Sequence, residues 1–362
     1  MDNKPKSNFT AMLATGIGAT ILLVVIVVVI YRYSYAYKMW AQTSLTVDLN
    51  QKTRTTNLQM FPLRDFYIMG SYNTCVEGPY NRGIVSITYL KNAIALGYRF
   101  LDFEIYSSST DDPVVSCSTY STEGGTYANS FYSLPFVDVL KTINTYAFTN
   151  SGCMNFRDPL IVNLRIKTCN LNVITKLTEI FKEHGNKMLG PEYSYNKNNS
   201  NFGDTLLNNL MGKICLFVDS SSVDYSSNTG FMEYVNSSTI TGFLKETTQT
   251  EFKNAPSLQD MIEYNKRNMT VIIPDYKNPK NSVLQAYQNA GCQIVAMMIW
   301  QTGSYLSENN DYFSKHQFSF VLKPEQFRYI PQTIPAPKPQ APQNSYSSRP
   351  LDTGVAGIAF NI

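Results

Sequence analysis

Between about residue 61 and residue 330 short apolar runs alternate with segments of helical spacing, and no other feature limits the fold of this chain as tightly. The runs Phe66–Met69, Tyr98–Tyr106, Leu160–Ile166, Lys213–Val218, Met269–Ile273 and Cys292–Met298 have the length and composition of strands. Ile84–Leu96, Leu134–Phe148, Asn172–Glu183, Leu258–Asn265 and Ser282–Ala290 have helical periodicity, and the first of them stops at Gly97, a favourable C-cap. Val114–Cys117 reads as a further short strand and Phe318–Leu322 as the last one, while Ser220 to about Pro256 is polar and irregular. Parallel neighbours need a crossover of a dozen or more residues, which a helix supplies. The pattern therefore implies repeated βαβ units closed as a TIM-type (β/α)8 barrel; from pattern alone, a doubly wound open sheet is the alternative.

The sequence outside this region has other jobs. Ala11–Tyr31 is almost unbroken apolar sequence, long enough to cross a hydrocarbon core as one helix. It exceeds a usual signal-peptide core and no small-residue cleavage site follows, so it reads as a retained single-pass anchor. Tyr31, Tyr33, Tyr35, Tyr37 and Trp40 suit the headgroup layer. Lys4 and Lys6 before the span balance Arg32 and Lys38 after it, so orientation stays open. Sequons at Asn198, Asn236 and Asn268 would be usable only in a secretory lumen. The expected organisation is a short segment 1–10, a transmembrane helix 11–31, a polar tether 32–60, the barrel 61–330 and a Pro-rich extended tail 331–362. A net charge of +3 with no Lys/Arg run argues against nucleic acid as a partner. Of six cysteines, Cys117, Cys169, Cys215 and Cys292 read as buried thiols, and Cys75 and Cys153 as loop residues whose pairing is open. The Asn-, Tyr- and Lys-rich composition with a single span suits a viral or protist membrane protein.

The residues around the first strand carry a resemblance. Pro62-Leu63-Arg64-Asp65 leads into Phe66–Met69, and Gly70-Ser71-Tyr72-Asn73-Thr74 follows. This resembles the opening of the catalytic X region of eukaryotic phosphatidylinositol-specific phospholipases C, where a similar strand runs into Ser-His-Asn-Thr. Leu96–Glu104 resembles that family's second strand, whose acid-x-acid pair holds calcium, and Pro113–Cys117 the strand with its second catalytic histidine. Asp138–Phe148, Asp158–Leu164 and Gly212–Ile214 resemble later X-region elements. Asn289–Ala296, Gln301-Thr302 and Val321–Pro324 with Phe327 and Arg328 resemble the Y region. The resemblance implies a phosphodiesterase barrel acting on phosphoinositides with two histidines and calcium.

At the positions the resemblance makes catalytic, this chain differs. Imidazole serves as acid and base because it titrates near neutrality. Tyr72 and Cys117 align with the two histidines, and a phenol near pKa 10 or a thiol near 8.5 substitutes only if strongly perturbed. His184 and His316 fall at a helix end and before the last strand, on the barrel face away from an active site. Asn73, Asp102 and Glu104 match calcium ligands, with the two acids exchanged, while the remaining carboxylate position is Arg165. Strand alternation puts Asn163 and Arg165 on one face, and the resemblance makes it the interior. Arg165 is thus expected to stand in for calcium, leaving no metal and no cofactor. The family's phosphate-holding lysines align with Phe217 and Asp219, and its Y-region arginine and tyrosine with Val271 and Ile273, a lining that repels phosphorylated inositol. The leading expectation is a membrane-anchored, catalytically inactive barrel with a binding or structural role. One alternative is an active, calcium-independent phosphoric diester hydrolase using Tyr72, Cys117 and the acids. Another is a lectin-like binder of a phosphoinositide or other headgroup.

Overall fold

A computed structural model describes residues 6–43, 60–78, 83–117, 132–195, 199–221, 223–276, 278–331, 348 and 350–361. Eight strands form the centre: β1 (Phe66–Ser71), β2 (Phe100–Ser107), β3 (Leu160–Ile166), β4 (Ile214–Asp219), β5 (Val235–Ser238), β6 (Leu244–Thr248), β7 (Met269–Ile273) and β8 (Ile294–Met297). They follow the order β6-β7-β8-β1-β2-β3-β4-β5, with every neighbouring pair parallel. Among the described residues β5 and β6 do not pair, so the barrel is nearly closed. The closed-barrel expectation holds and the open doubly wound sheet does not.

Both faces of these strands are covered, so β1, β3, β4, β7 and β8 are buried along their whole length. The outer layer includes α2 (Ile87–Ala95), α3 (Phe136–Tyr146), α4 (Leu171–His184), α5 (Leu258–Arg267), α6 (Leu284–Gln288) and α7 (Ser304–His316), numbered after an N-terminal helix α1 (Lys6–Thr43). Ser86, Asn170 and Ser257 cap α2, α4 and α5 by accepting from Thr88 N, Asn172 N and Asp260 N. Gly70 in β1 is dictated by packing. A Cβ there would lie 2.9 Å from Ile294 Cγ2 and 3.3 Å from Phe100 Cδ1.

Two expectations change. Phe318–Leu322 is not one of the parallel barrel strands: its core, Phe320–Leu322, runs antiparallel to β1, with Leu322 opposite Phe66 at the start of that strand. Val114–Cys117 is a short strand as expected, Pro113–Ser116 folding back antiparallel on β2. The stretch read as irregular holds β5 and β6; short, Ser/Thr-rich segments lack the apolar alternation that would reveal them. Helix α7 was not anticipated, its sequence being largely polar.

All six cysteines are thiols; Cys75 and Cys153 are buried and Cys169 is exposed, contrary to its expected burial, because it lies in the loop just beyond β3. Asn236 is no glycan acceptor in the folded chain: it is buried, accepting from Leu216 N at 2.8 Å and donating to Tyr193 O at 3.2 Å. Asn198 lies outside the described residues.

Helix α1 contains the candidate span Met12–Tyr31, with mean hydropathy 2.9 and none of it buried. Most of the proposed tether (44–59) and most of the Pro-rich tail (332–347) lie outside the described residues. Residues 330–362 form a separate compact unit. Within it Pro350–Asp352 pairs antiparallel with Ala359–Asn361 across a turn in which Gly354 and Gly357 have φ of 66° and 90°.

Candidate functional site: the barrel mouth

The C-terminal ends of parallel barrel strands are where side chains converge, since each strand there hands over to a loop. Register aligns Asp102 with Asn163 and Phe217, and Glu104 with Arg165 and Asp219, so two interior layers stack toward the mouth. Asn163 proves the direction: its Nδ2 donates to Asp102 Oδ1 at 2.9 Å and reaches across to Glu246 Oε2 on β6 at 3.1 Å.

Arg165 is the centre of the site. Its Nε donates to Asp102 Oδ1 (2.9 Å), and Nη2 to Asp102 Oδ2 (2.7 Å) and Asn73 Oδ1 (2.9 Å). Nη1 donates to Glu104 Oε1 (2.9 Å) and the Tyr72 hydroxyl (3.3 Å), with Cζ 4.4 Å from the Tyr72 ring centroid. A guanidinium has five N–H donors, and here each has an acceptor. Burial disfavours its charge, but Asp102, Tyr72 and Glu104 more than offset this, so its pKa is held above the ordinary value.

The acceptors are saturated in turn. Asp102 Oδ2 also takes Asn73 N at 3.0 Å, and Glu104 Oε2 takes the Tyr106 hydroxyl at 2.7 Å. Asn73 makes its contacts from a left-handed backbone, φ 43°, a conformation Asn tolerates better than most residues. Thr74 locks the turn: its hydroxyl accepts from Asp102 N at 3.0 Å and lies 2.6 Å from Ser71 Oγ. Asp102, Glu104 and Arg165 are all buried, as are Tyr72 and Asn73.

Cys117 is buried just beyond the strand Pro113–Ser116, whose Ser116 lies opposite Glu104. His184 ends α4 and His316 ends α7, at the opposite end of the barrel from Arg165. Phe217 and Asp219 are buried in β4, and Val271 and Ile273 in β7. Among the described residues no three His, Cys, Asp or Glu side chains converge as a metal site.

Three mouth residues escaped the sequence reading. Lys167, next inward-facing residue after Arg165, is buried with Nζ 3.9 Å from Asp219 Oδ2 and 5.5 Å from the Tyr276 ring centroid. Asp219 itself accepts from Ser221 Oγ (2.7 Å) and Thr239 Oγ1 (2.9 Å). Glu246, half-buried on β6, has its pKa pushed up to about 8 by burial and by Asp219, against the pull of Arg165. Period-two spacing after Arg165 could have found Lys167. Glu246 and Tyr276 had no signal, since neither lies in a recognisable strand pattern.

Residues 60–219 match the family model for phosphatidylinositol-specific phospholipase C, X domain. The structure superposes on the crystal structure of L. pealei PLC21 with a TM-score of 0.60 at 18% identity, over 78% of this chain and 39% of that one. For S. officinalis PLC21 the TM-score is 0.58 at 18% identity, over 80% and 40%. The chain thus spans about two fifths of each of these proteins. No curated protein sequence matches. At such identities the likeness to solved structures is one of fold.

Proposed function

We propose that this chain is a membrane-anchored barrel of the phosphatidylinositol phospholipase C type that does not cleave phosphoinositides and uses its barrel for binding or structure. One observation carries this: the guanidinium of Arg165, satisfied on all five N–H groups, fills the space among Asn73, Asp102 and Glu104. Calcium, which the resemblance implies, does not fit there. Its oxygen ligands would have to be taken from a fixed cation, and a divalent ion would sit against that cation. At the two positions equated with histidine, Tyr72 and Cys117 are buried and occupied in packing or hydrogen bonding, which supports a structural rather than proton-moving role. The helix Met12–Tyr31 supports anchoring by its length and composition.

The full chain, incubated with phosphatidylinositol vesicles with calcium or with chelator, is expected to release no inositol phosphate in either case, and titration calorimetry should give no calcium heat. Release of inositol phosphate, lost in Tyr72→Phe or Cys117→Ser, would overturn this reading.

A second reading has one observation in its favour. Glu246 is a carboxyl whose raised pKa of about 8 would let it act as an acid near neutrality, as a hydrolase requires. Calcium-independent turnover abolished by Glu246→Gln would establish it.

A further inference from the structure

The end of the barrel opposite the mouth carries guanidinium groups that neither the core nor the mouth uses. Arg64 precedes β1, Arg267 ends α5, and Arg328 and Tyr329 follow the strand that returns along β1. Folding brings these distant positions to one rim. Arg267 Cζ lies 4.4 Å, and Arg64 Cζ 6.0 Å, from the Tyr329 ring centroid, while Arg328 Cζ lies 5.0 Å from that of Phe61. Burial lowers the pKa of Arg64; Asp65 opposes this and the nearby charge of Arg267 adds to it.

Buried Asp65 is a fixed counter-charge near Arg64 and Arg328, but the carboxylates that pair with them directly are exposed. Arg64 pairs with Asp204, the side chains being 13% and 57% exposed. Arg328 Nη2 lies 3.5 Å from Glu325 Oε1, at 12% and 79% exposure. Arg267 lies within electrostatic reach of Glu263, a carboxylate already paired with Lys266 at 2.7 Å, and among the described residues the buried Nε atoms of Arg64 and Arg328 have no acceptor. With the carboxylate of each pair in solvent, such pairs approach the surface case, worth about 0–1 kcal/mol. An external anion can therefore displace Asp204 and Glu325 at little cost, and guanidinium prefers phosphate or carboxylate oxygens. A cavity of about 370 Å³ beside the rim is lined by Glu192 and Asp204 among others, so the anion's place is the arginine rim and not that cavity.

The source of the anion follows from the path of the chain. The span Met12–Tyr31 connects through α1 and residues 44–59 to Met60 and Phe61 at this same base. Fully stretched, residues 44–59 reach no farther than about 55 Å, so a bilayer holding the span lies within reach of the rim. Met60 and Tyr329 are exposed there, apolar and amphipathic side chains suited to a headgroup layer. We infer that Arg64, Arg267 and Arg328 form a contact site for the phosphates of anionic lipids in the bilayer that holds the chain's own helix, setting the barrel base-down with its mouth turned away.

This rests on the anchoring part of the proposed function and not on the absence of catalysis. The full chain is reconstituted in vesicles of phosphatidylcholine alone or with phosphatidylserine, and amide hydrogen exchange is followed after an alkaline wash. Loss of the chain in the wash would defeat the anchoring reading and, with it, this inference; the remaining outcomes bear on the inference alone. Exchange at 61–67, 264–268 and 324–329 is expected to slow in anionic vesicles only, with the protection lost at high salt. Arg267→Gln should weaken it about fivefold, while exchange at the mouth (72–78, 219–221) stays unchanged and certifies the fold. Equal exchange in both vesicles, or protection of the mouth segments instead, would overturn it. So would protection produced by inorganic phosphate in neutral vesicles but not by phosphatidylserine, which would mark a soluble-anion site.

Discussion

At the scale of single residues, Arg165 determines what the mouth can be. Removing one partner of a buried ion pair strands the other, at about 3–5 kcal/mol, whereas removing all partners together costs far less. Arg165→Met should therefore destabilise the chain to denaturant by that amount. Adding Asp102→Asn and Glu104→Gln to it should recover most of the loss; no recovery would mean that packing, not charge, holds the site. Lys323 offers a second test, at the base. Its ammonium is buried, donates among the described residues to Asn265 O at 3.0 Å, and has its pKa lowered to about 7 by burial, despite the nearby Asp65. Since the unfolded chain then binds more protons between about pH 7 and 10.5, stability should rise with pH across that window and fall as pH drops through it. Lys323→Met should flatten the slope in urea titrations at several pH values. The resemblance together with strand alternation made Asp102, Glu104 and Arg165 legible as a group. Lys323 was not, because burial of a lysine after a short returning strand depends on neighbours such as Asn265 and Cys292, remote in sequence.

At the scale of elements, β1 shows why some strands could be read and others not. Ile68, Gly70 and Tyr72 face one way along it, and the glycine makes room for Ile294 of the neighbouring β8. Gly70→Ala would force that side chain or the strand to shift, an overpacking cost of about 1–3 kcal/mol. Thermal unfolding should register it, and a neutral result would mean that the β1–β8 contact yields more easily than the geometry implies. Apolar strands such as β1, β3 and β8 announce themselves because both faces are buried. β5, with sequence Val-Asn-Ser-Ser, is buried as well, but it satisfies its polar side chains internally, as when Asn236 bonds Leu216 N and Tyr193 O. Composition cannot distinguish such a strand from a loop. The returning strand Phe320–Leu322 shows the opposite case: its sequence is strand-like, but its antiparallel pairing with β1 follows a helix, α7, whose polar sequence conceals it.

At the scale of the molecule, the apolar N-terminal helix and the barrel are separable. The span is fully exposed and supplies nothing to the barrel core, so the barrel should keep its stability without it. A protease site placed between residues 44 and 59 allows the two to be parted after reconstitution. In neutral vesicles, cleavage should release a soluble barrel whose thermal midpoint is unchanged; aggregation on release would show that the span shields barrel surface. In anionic vesicles the basal arginines should delay release. At about 1 kcal/mol for each basic group near such a surface, three of them favour the bound form roughly a hundredfold. Salt shortens the reach of these charges, to about 3 Å at 1 M, so raising it should free the cleaved barrel at once. Lys4, Lys6, Arg32 and Lys38 flank the span too evenly to disclose any of this, whereas Arg64, Arg267 and Arg328 become a patch only when β1, α5 and the returning strand meet at the base. Prompt release from both kinds of vesicle at low salt would mean that the helix alone holds this barrel at the membrane.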